Sequence, residues 1–177
     1  SRLAYSLKFH KVENAAIQKE ILFEDSELEV KAAPLNHRIP SFAYRINQKS
    51  RPGRFDIDKA KAQKIPPSPL YAALQRGEDV RLEDGRVFSG KEFCGPPRPG
   101  LSIVYCTDTV YTETAIELSR EADLLIHEAT YAYKETEMAY QRGHSTATMA
   151  AQIAAKANVG QLILTHLSPR YTPGNET

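Results

Sequence analysis

Two cysteines in 177 residues, Cys94 and Cys106, are too few and too far apart for a disulfide framework or a zinc knuckle. Both read as small buried residues of a chain kept in a reducing compartment. No run approaches the roughly 20 consecutive apolar residues that a membrane span requires. The opening residues, SRLAYSLKFH, lack the apolar core of a signal peptide. These absences point to a soluble, cytoplasmic protein, of a bacterium or of an organelle's interior, with no membrane partner. Charge of one sign is missing as well, since the formal net charge is +1. With 41% hydrophobic and 25% charged residues, the chain is long enough for one domain with a substantial core.

The charge is nevertheless uneven. Residues 45–98 carry 12 Lys or Arg against 7 Asp or Glu, leaving the flanks acidic. A solvated loop face explains this as well as a polyanion-binding surface does.

What is present is a set of short apolar runs that stop on ligating side chains. Leu162–Leu164 follow Gly160 and have the pattern of a strand buried on both faces, and the run ends at His166. Residues 101–107, LSIVYCT, deliver Asp108, and 122–126, ADLLI, deliver His127 and Glu128. Ligands of open α/β sheets gather beyond the carboxyl ends of the strands. One such histidine is more simply a capping or partly exposed group, but three runs ending this way are expected to converge on one site.

Along the chain, Leu3, Tyr5, Leu7 and Phe9 alternate as in a half-buried strand, followed by a surface His10. Residues 21–23 and 28–30 predict two strands turning at Asp25 and Ser26. His37 lies in a loop stiffened by Pro34 and Pro40 ahead of a strand at 41–46, placed either as a ligand or as a turn-stabilising group. The polar stretch 49–77 carries a short basic helix at 56–64, interrupting prolines at 66, 67 and 69 and an amphipathic turn at 70–74, and a hairpin follows at Asp84-Gly85. With few large apolar residues to bury, this stretch predicts a projecting arm, and its two helical turns argue against a floppy linker. From residue 101 the pattern alternates: strand 101–107, helix 113–120, strand 122–126, helix 146–157 and strand 161–165. Ser145 and Thr146 are candidate N-caps of the last helix. His144 sits at the positive end of that helix, as a cap or as a group that meets a phosphate.

PLNHRIPSFAYRI at 34–46, TDT at 107–109, ADLLIHEATY at 122–131, HSTATMAAQIAAKA at 144–157 and LILTHLSPRY at 162–171 resemble, in order, the C-terminal half of the ribonuclease Z family. The stretch KIPPSPLYAALQRG, 64–77, is similar to the arm with which that family grips tRNA. The resemblance implies an α/β fold, the second half of a metallo-β-lactamase-type αββα sandwich. A single domain would span 1–177, with the basic arm 49–77 inserted. It implies a zinc-dependent endoribonuclease that removes 3′ trailers from precursor tRNA and leaves a 3′-hydroxyl. The enzyme would be a homodimer with two zinc ions per complete active site. His37, Asp108 and His166 would bind metal. His144 would protonate the leaving oxygen, with Glu128 orienting it. Ser168, Arg170, Pro69 and His127 would contact substrate.

The chain departs from the family in lacking its His-x-His-x-Asp-His motif, so three residues alone supply an incomplete two-metal site and the chain is expected to be part of a longer protein. It also has Ser68 where the arm usually carries Gly, and Val110 where Arg commonly follows Asp-Thr. Two other readings remain: a hydrolase of small substrates on the same fold, or a catalytically incomplete tRNA-binding subunit.

Overall fold

A computed structural model describes residues 21–171; the alternating run at 3–9 and His10 lie outside that range. The described chain divides into two compact units, one comprising the described residues up to Asn47 together with those from Ser102 on, the other Gln48–Leu101.

The first unit is built on a six-stranded sheet. Strands β1 (Ile21–Glu24) and β2 (Leu28–Pro34) pair antiparallel across a turn in which the Asp25 carboxylate accepts from the Glu27 and Leu28 amides at 2.7 and 2.8 Å. This is the Asx geometry expected of Asp at a tight turn. β3 (Phe42–Gln48) pairs antiparallel with β6 (Ser102–Cys106), and β6, β7 (Leu124–Glu128) and β8 (Gln161–Thr165) are parallel neighbours. The strand order is β1-β2-β3-β6-β7-β8, where β4 (Val80–Arg81) and β5 (Val87–Phe88) form a separate two-stranded ribbon.

Parallel neighbours need crossovers, and helices α3 (Glu113–Ser119) and α5 (Ala147–Lys156) supply them. Thr112 caps α3 by accepting from the Thr114 amide, and Thr146 caps α5 by accepting from the Met149 amide at 3.2 Å. Arg45 reaches the other end of α3, donating to the carbonyls of Leu118 and Arg120 at 2.9 and 2.7 Å, where a cation is favourable. The alternation of the strands places Ala43, Val104, Cys106 and Leu125 on one face, packed with Ala115, Ile116, Ile153 and Ala157. Opposite lie Ile46, Ile103, Tyr105 and Ile163, each at least 39% exposed. One helical layer and one sheet with a bare apolar face amount to half of the expected αββα layering.

One sequence expectation is corrected here, and two further features were not read from the sequence. Among the described residues β8 is an edge strand with Ile163 and Leu164 exposed, not a strand buried on both faces, because strand order is set by long-range pairing that an apolar run does not encode. A helix α4 (Thr136–Arg142), which buries only Ala139, gives too weak an apolar period to be read from sequence. The residues around the expected arm also bury more than their composition suggests. The unit Gln48–Leu101 holds α1 (Ile57–Ala62), α2 (Pro69–Gln75) and the β4–β5 ribbon around its own core of Ala60, Ile65, Leu74, Val80, Leu82 and Phe93. Asp56 caps α1 and Ser68 caps α2, with Pro69 at the first helical position.

Leu125 is fully buried in the sheet and Phe93 is 1% exposed in the smaller unit. Leu125→Ala is expected to cost about 2–5 kcal/mol and Phe93→Ala about 3–5 kcal/mol, read from denaturant midpoints of the protein.

Candidate metal centre

The site lies at the carboxyl ends of β6, β7 and β8, where a parallel sheet opens its crevice. After β6 the chain is pinned before it reaches Asp108. Thr107 donates to the Phe42 carbonyl at 3.0 Å, and Ser41 donates to the Asp108 carbonyl at 2.7 Å. The His37 loop is zipped to the same segment: the Asn36 amide donates to the Thr109 hydroxyl at 3.2 Å and the Val110 amide to the Asn36 carbonyl at 2.9 Å. His37 and Asp108 thereby become neighbours although 71 residues separate them.

β7 ends on two residues that alternate to opposite sides. Glu128 is 1% exposed and receives five donors. Its Oε1 accepts from the amides of Thr109 and Ser145, both at 3.0 Å, and from His144 Nδ1 at 2.9 Å. Its Oε2 accepts from the Thr130 amide at 3.0 Å and the Thr130 hydroxyl at 2.8 Å. His127 is corrected from a substrate contact to an internal group, because the ring is wholly buried and its Nδ1 donates to the Glu128 carbonyl at 2.7 Å. Its Nε2 finds no partner among the described residues. Burial pushes its pKa below the ordinary 6.5, against the opposing pull of the Glu128 carbonyl and carboxylate.

His144 stands directly before the α5 cap. Gly143 ends α4 with φ of +81°, and its carbonyl accepts from His37 Nδ1 at 2.7 Å. A carbonyl only accepts, so the His37 proton is on Nδ1 and the Nε2 lone pair is free. The same holds for His144, whose Nδ1 faces the Glu128 carboxylate. The third histidine, His166, takes φ of +56° immediately after β8, and its Nδ1 lies 2.8 Å from the Thr130 hydroxyl and 3.4 Å from Asp108 Oδ1. Strained backbone of this kind concentrates at functional positions. The ring centres of His37 and His144 are 5.0 Å apart, and those of His144 and His166 are 5.4 Å apart.

The five expected central residues therefore meet, but in two overlapping groups. Potential ligand atoms of His37, Asp108 and His144 lie within 4.8 Å of one another, as do those of Glu128, His144 and His166. His166 comes to ligand spacing with Glu128 and His144 rather than with His37 and Asp108 together. Imidazoles anchored through Nδ1 and carboxylates beside them are the donor set of a divalent transition-metal centre, so the residues fit a metal. A cavity of about 320 Å³ lined by His37, Ile39, Phe42, Tyr44, Thr107 and Asp108 opens beside them.

The other expected contacts are placed as follows. The Ser168 amide donates to the Thr130 carbonyl at 3.2 Å. Arg170 donates to Glu135 Oε1 at 2.6 Å and lies 5.2 Å over the Tyr131 ring. Val110 is buried, which suits an apolar residue at the position where the family commonly has Arg. Within the smaller unit, Pro69 lines a cavity of about 700 Å³ with Ser68, Lys64, Arg81 and Arg86. Sequence reasoning missed Thr109, Thr130 and Gly143, of which only Gly143, between a helical stretch and a histidine, left a legible signal.

Residues 83–167 match the family model described as Beta-lactamase superfamily domain. The whole chain is 85% identical to a protein named Ribonuclease Z from Prochlorococcus marinus (strain NATL2A), covering 56% of it. Over 175 residues it is 60% identical to the Ribonuclease Z of Prochlorococcus marinus (strain MIT 9313), covering 99% of this chain and 55% of that one. The chain thus spans about half the length of these relatives. Among solved structures it resembles human tRNase Z, short form, at 30% identity and a TM-score of 0.51, over 85% of this chain and 39% of that one. The fold alone is shared with the metallo-beta-lactamase fold protein YhfI from Bacillus subtilis, at 20% identity and a TM-score of 0.50, over 86% of this chain and 42% of that one.

Two outcomes follow from this geometry. A Cβ at position 143 would lie 2.7 Å from His37 Nδ1. Gly143→Ala should cost about 1–2 kcal/mol in stability from its left-handed backbone, yet weaken divalent-metal affinity about 10- to 100-fold by displacing the His37 anchor. Competition with a chelator measures the second effect. For His127 the lowered folded pKa means that the unfolded chain takes up a proton the folded chain refuses, so the stability this group contributes is complete above pH 6.5 and drains as pH falls toward the folded value. His127→Asn, whose amide can still donate to the Glu128 carbonyl, should flatten the acid limb of the stability curve below pH 6.5 in urea titrations.

Proposed function

The chain belongs to the ribonuclease Z family, and from that premise we propose that the protein is a zinc-dependent endoribonuclease that removes the 3′ trailer from precursor tRNA. The observation that carries the proposal is the meeting of His37, Asp108, Glu128, His144 and His166 at the strand ends of the sheet, in a chain 85% identical to a protein named Ribonuclease Z. His37, Asp108 and His166 would hold zinc, two ions per complete site, and the family's His-x-His-x-Asp-His motif would supply the rest of the coordination. Zinc supplies Lewis-acid activation of water and neutralisation of charge on the attacked phosphate.

The chain's own residues do the remainder. Glu128 clamps His144 through Nδ1 at 2.9 Å, so that a second proton on that ring occupies Nε2, on the edge away from the carboxylate. As water oxygen bonds to phosphorus and the bond to the tRNA 3′ oxygen breaks, that proton passes to the departing oxygen. The products are a tRNA 3′-hydroxyl and a trailer with a 5′-phosphate. Arg170, set by Glu135 and Tyr131, and Ser168 meet neighbouring phosphates, where a planar guanidinium pairs two oxygens. The basic arm 49–77, with Pro69, grips the tRNA body, and the enzyme works as a cytoplasmic homodimer.

The test is cleavage of a 3′-extended precursor tRNA by the full-length protein with zinc. His144→Ala should lower kcat by about 10²–10⁴, the usual worth of a positioned acid. Replacing the whole compact unit Gln48–Leu101 by a short flexible linker, so that no half-core is left exposed, should abolish tRNA cleavage while sparing a small chromogenic phosphodiester. An uncut precursor with the wild-type protein would overturn the proposal. Tight, salt-dependent tRNA binding without bound zinc would favour a binding subunit.

A further inference from the structure

The Thr130 hydroxyl touches both Glu128 and His144 and also the outermost histidine, His166. It is 2.8 Å from Glu128 Oε2, 2.8 Å from His166 Nδ1 and 3.3 Å from His144 Nδ1. A threonine hydroxyl has one hydrogen to give and two lone pairs to receive. Glu128 Oε2 already accepts from the Thr130 amide, and every other group around that carboxylate is a donor as well, so it receives the hydroxyl hydrogen. His166 Nδ1 must then be the donor to the Thr130 oxygen. Asp108 Oδ1, 3.4 Å from the same nitrogen and acceptor-only when ionised, requires the same assignment. With Thr130 9% exposed, water is a poor substitute for it.

We propose that Thr130 is a positioning residue: its hydroxyl, committed to Glu128, fixes His166 as the Nδ1–H tautomer and aims the Nε2 lone pair outward for a divalent cation. The inference rests on the reading of this cluster as a metal centre. It adds a residue to which the family motifs quoted above assign no role. His37 is fixed by the Gly143 carbonyl and His144 by the Glu128 carboxylate, both obligate acceptors. His166 has as its short partner a hydroxyl that could give or take a proton, with the Asp108 carboxylate a longer second acceptor at 3.4 Å, and Glu128 removes the hydroxyl's ambiguity. One carboxylate thus orients two imidazoles, directly through Oε1 and by way of Thr130 through Oε2. Partners of this kind set ring orientation and ligand basicity at metal centres.

The experiment uses the full-length protein, first free of metal with ¹⁵N-labelled histidine, then titrated with zinc against a competing chelator. Two-bond ¹⁵N–¹H spectra of the wild-type protein should show neutral His166 as the Nδ1–H form. An Nε2–H form would overturn the proposal whatever any variant does. Thr130→Val keeps the shape and removes the hydroxyl. It should shift His166 toward Nε2–H and weaken zinc binding about 10- to 100-fold, whereas Thr130→Ser should restore both to within about threefold of wild type. A folded valine variant with unchanged tautomer and unchanged zinc affinity would also overturn it. Should that variant not fold, Thr130→Ala gives the same comparison. A wild-type protein that binds no zinc sinks the metal reading instead, and the wild-type spectrum still decides the role of Thr130.

Discussion

The Glu128 carboxylate holds the site together. A buried charge is tolerated only when its lone pairs are met, and here five donors converge on two oxygens. Those donors come from three places: the turn after β6, the segment following β7 and the approach to α5. Their arrangement around one anion fixes where Asp108 emerges, where His144 points and how Thr130 faces His166. Breaking one partner of such a cluster leaves the rest of a buried charge uncompensated, which is far costlier than losing an exposed contact.

The sheet makes this convergence possible. Parallel pairing of β6, β7 and β8 brings their carboxyl ends into one row, and the register sets Cys106 beside His127 and Glu128 beside Thr165. Residues one to three positions past the strands are then gathered within a few ångströms. Alternation along β7 separates two adjacent polar residues by role. His127 goes into the packed interior, and Glu128 goes to the crevice. The bare apolar face carrying Ile46, Ile103, Tyr105 and Ile163 is the natural counterpart of a second sheet in an αββα sandwich, the fold class to which the chain belongs.

Much of this was legible beforehand. The strands, the helices α3 and α5, the Asp25 turn and the Asp84-Gly85 hairpin follow from local patterns of period, capping and turn chemistry. So does the gathering of Asp108, Glu128 and His166, since a ligating residue just past an apolar run has one place to go in a parallel sheet. Helix α4 was not legible, because a seven-residue helix with one buried side chain leaves no apolar stripe. The small core around Phe93 and Leu74 was missed for a related reason: its residues are spread singly over the 34 positions from Ala60 to Phe93.

The sequence by itself determined which side chains stand at the strand ends, in what order, and with what chemistry, because those features are carried by neighbours in the chain. Tertiary structure decided the rest. It made β8 an edge, turned His127 inward, set Gly143 against His37, and placed the Thr130 hydroxyl between a carboxylate and an imidazole. Each of these depends on contacts between segments far apart in the chain, and hydrogen-bond direction in particular is settled only when all the donors and acceptors around a group are in place together.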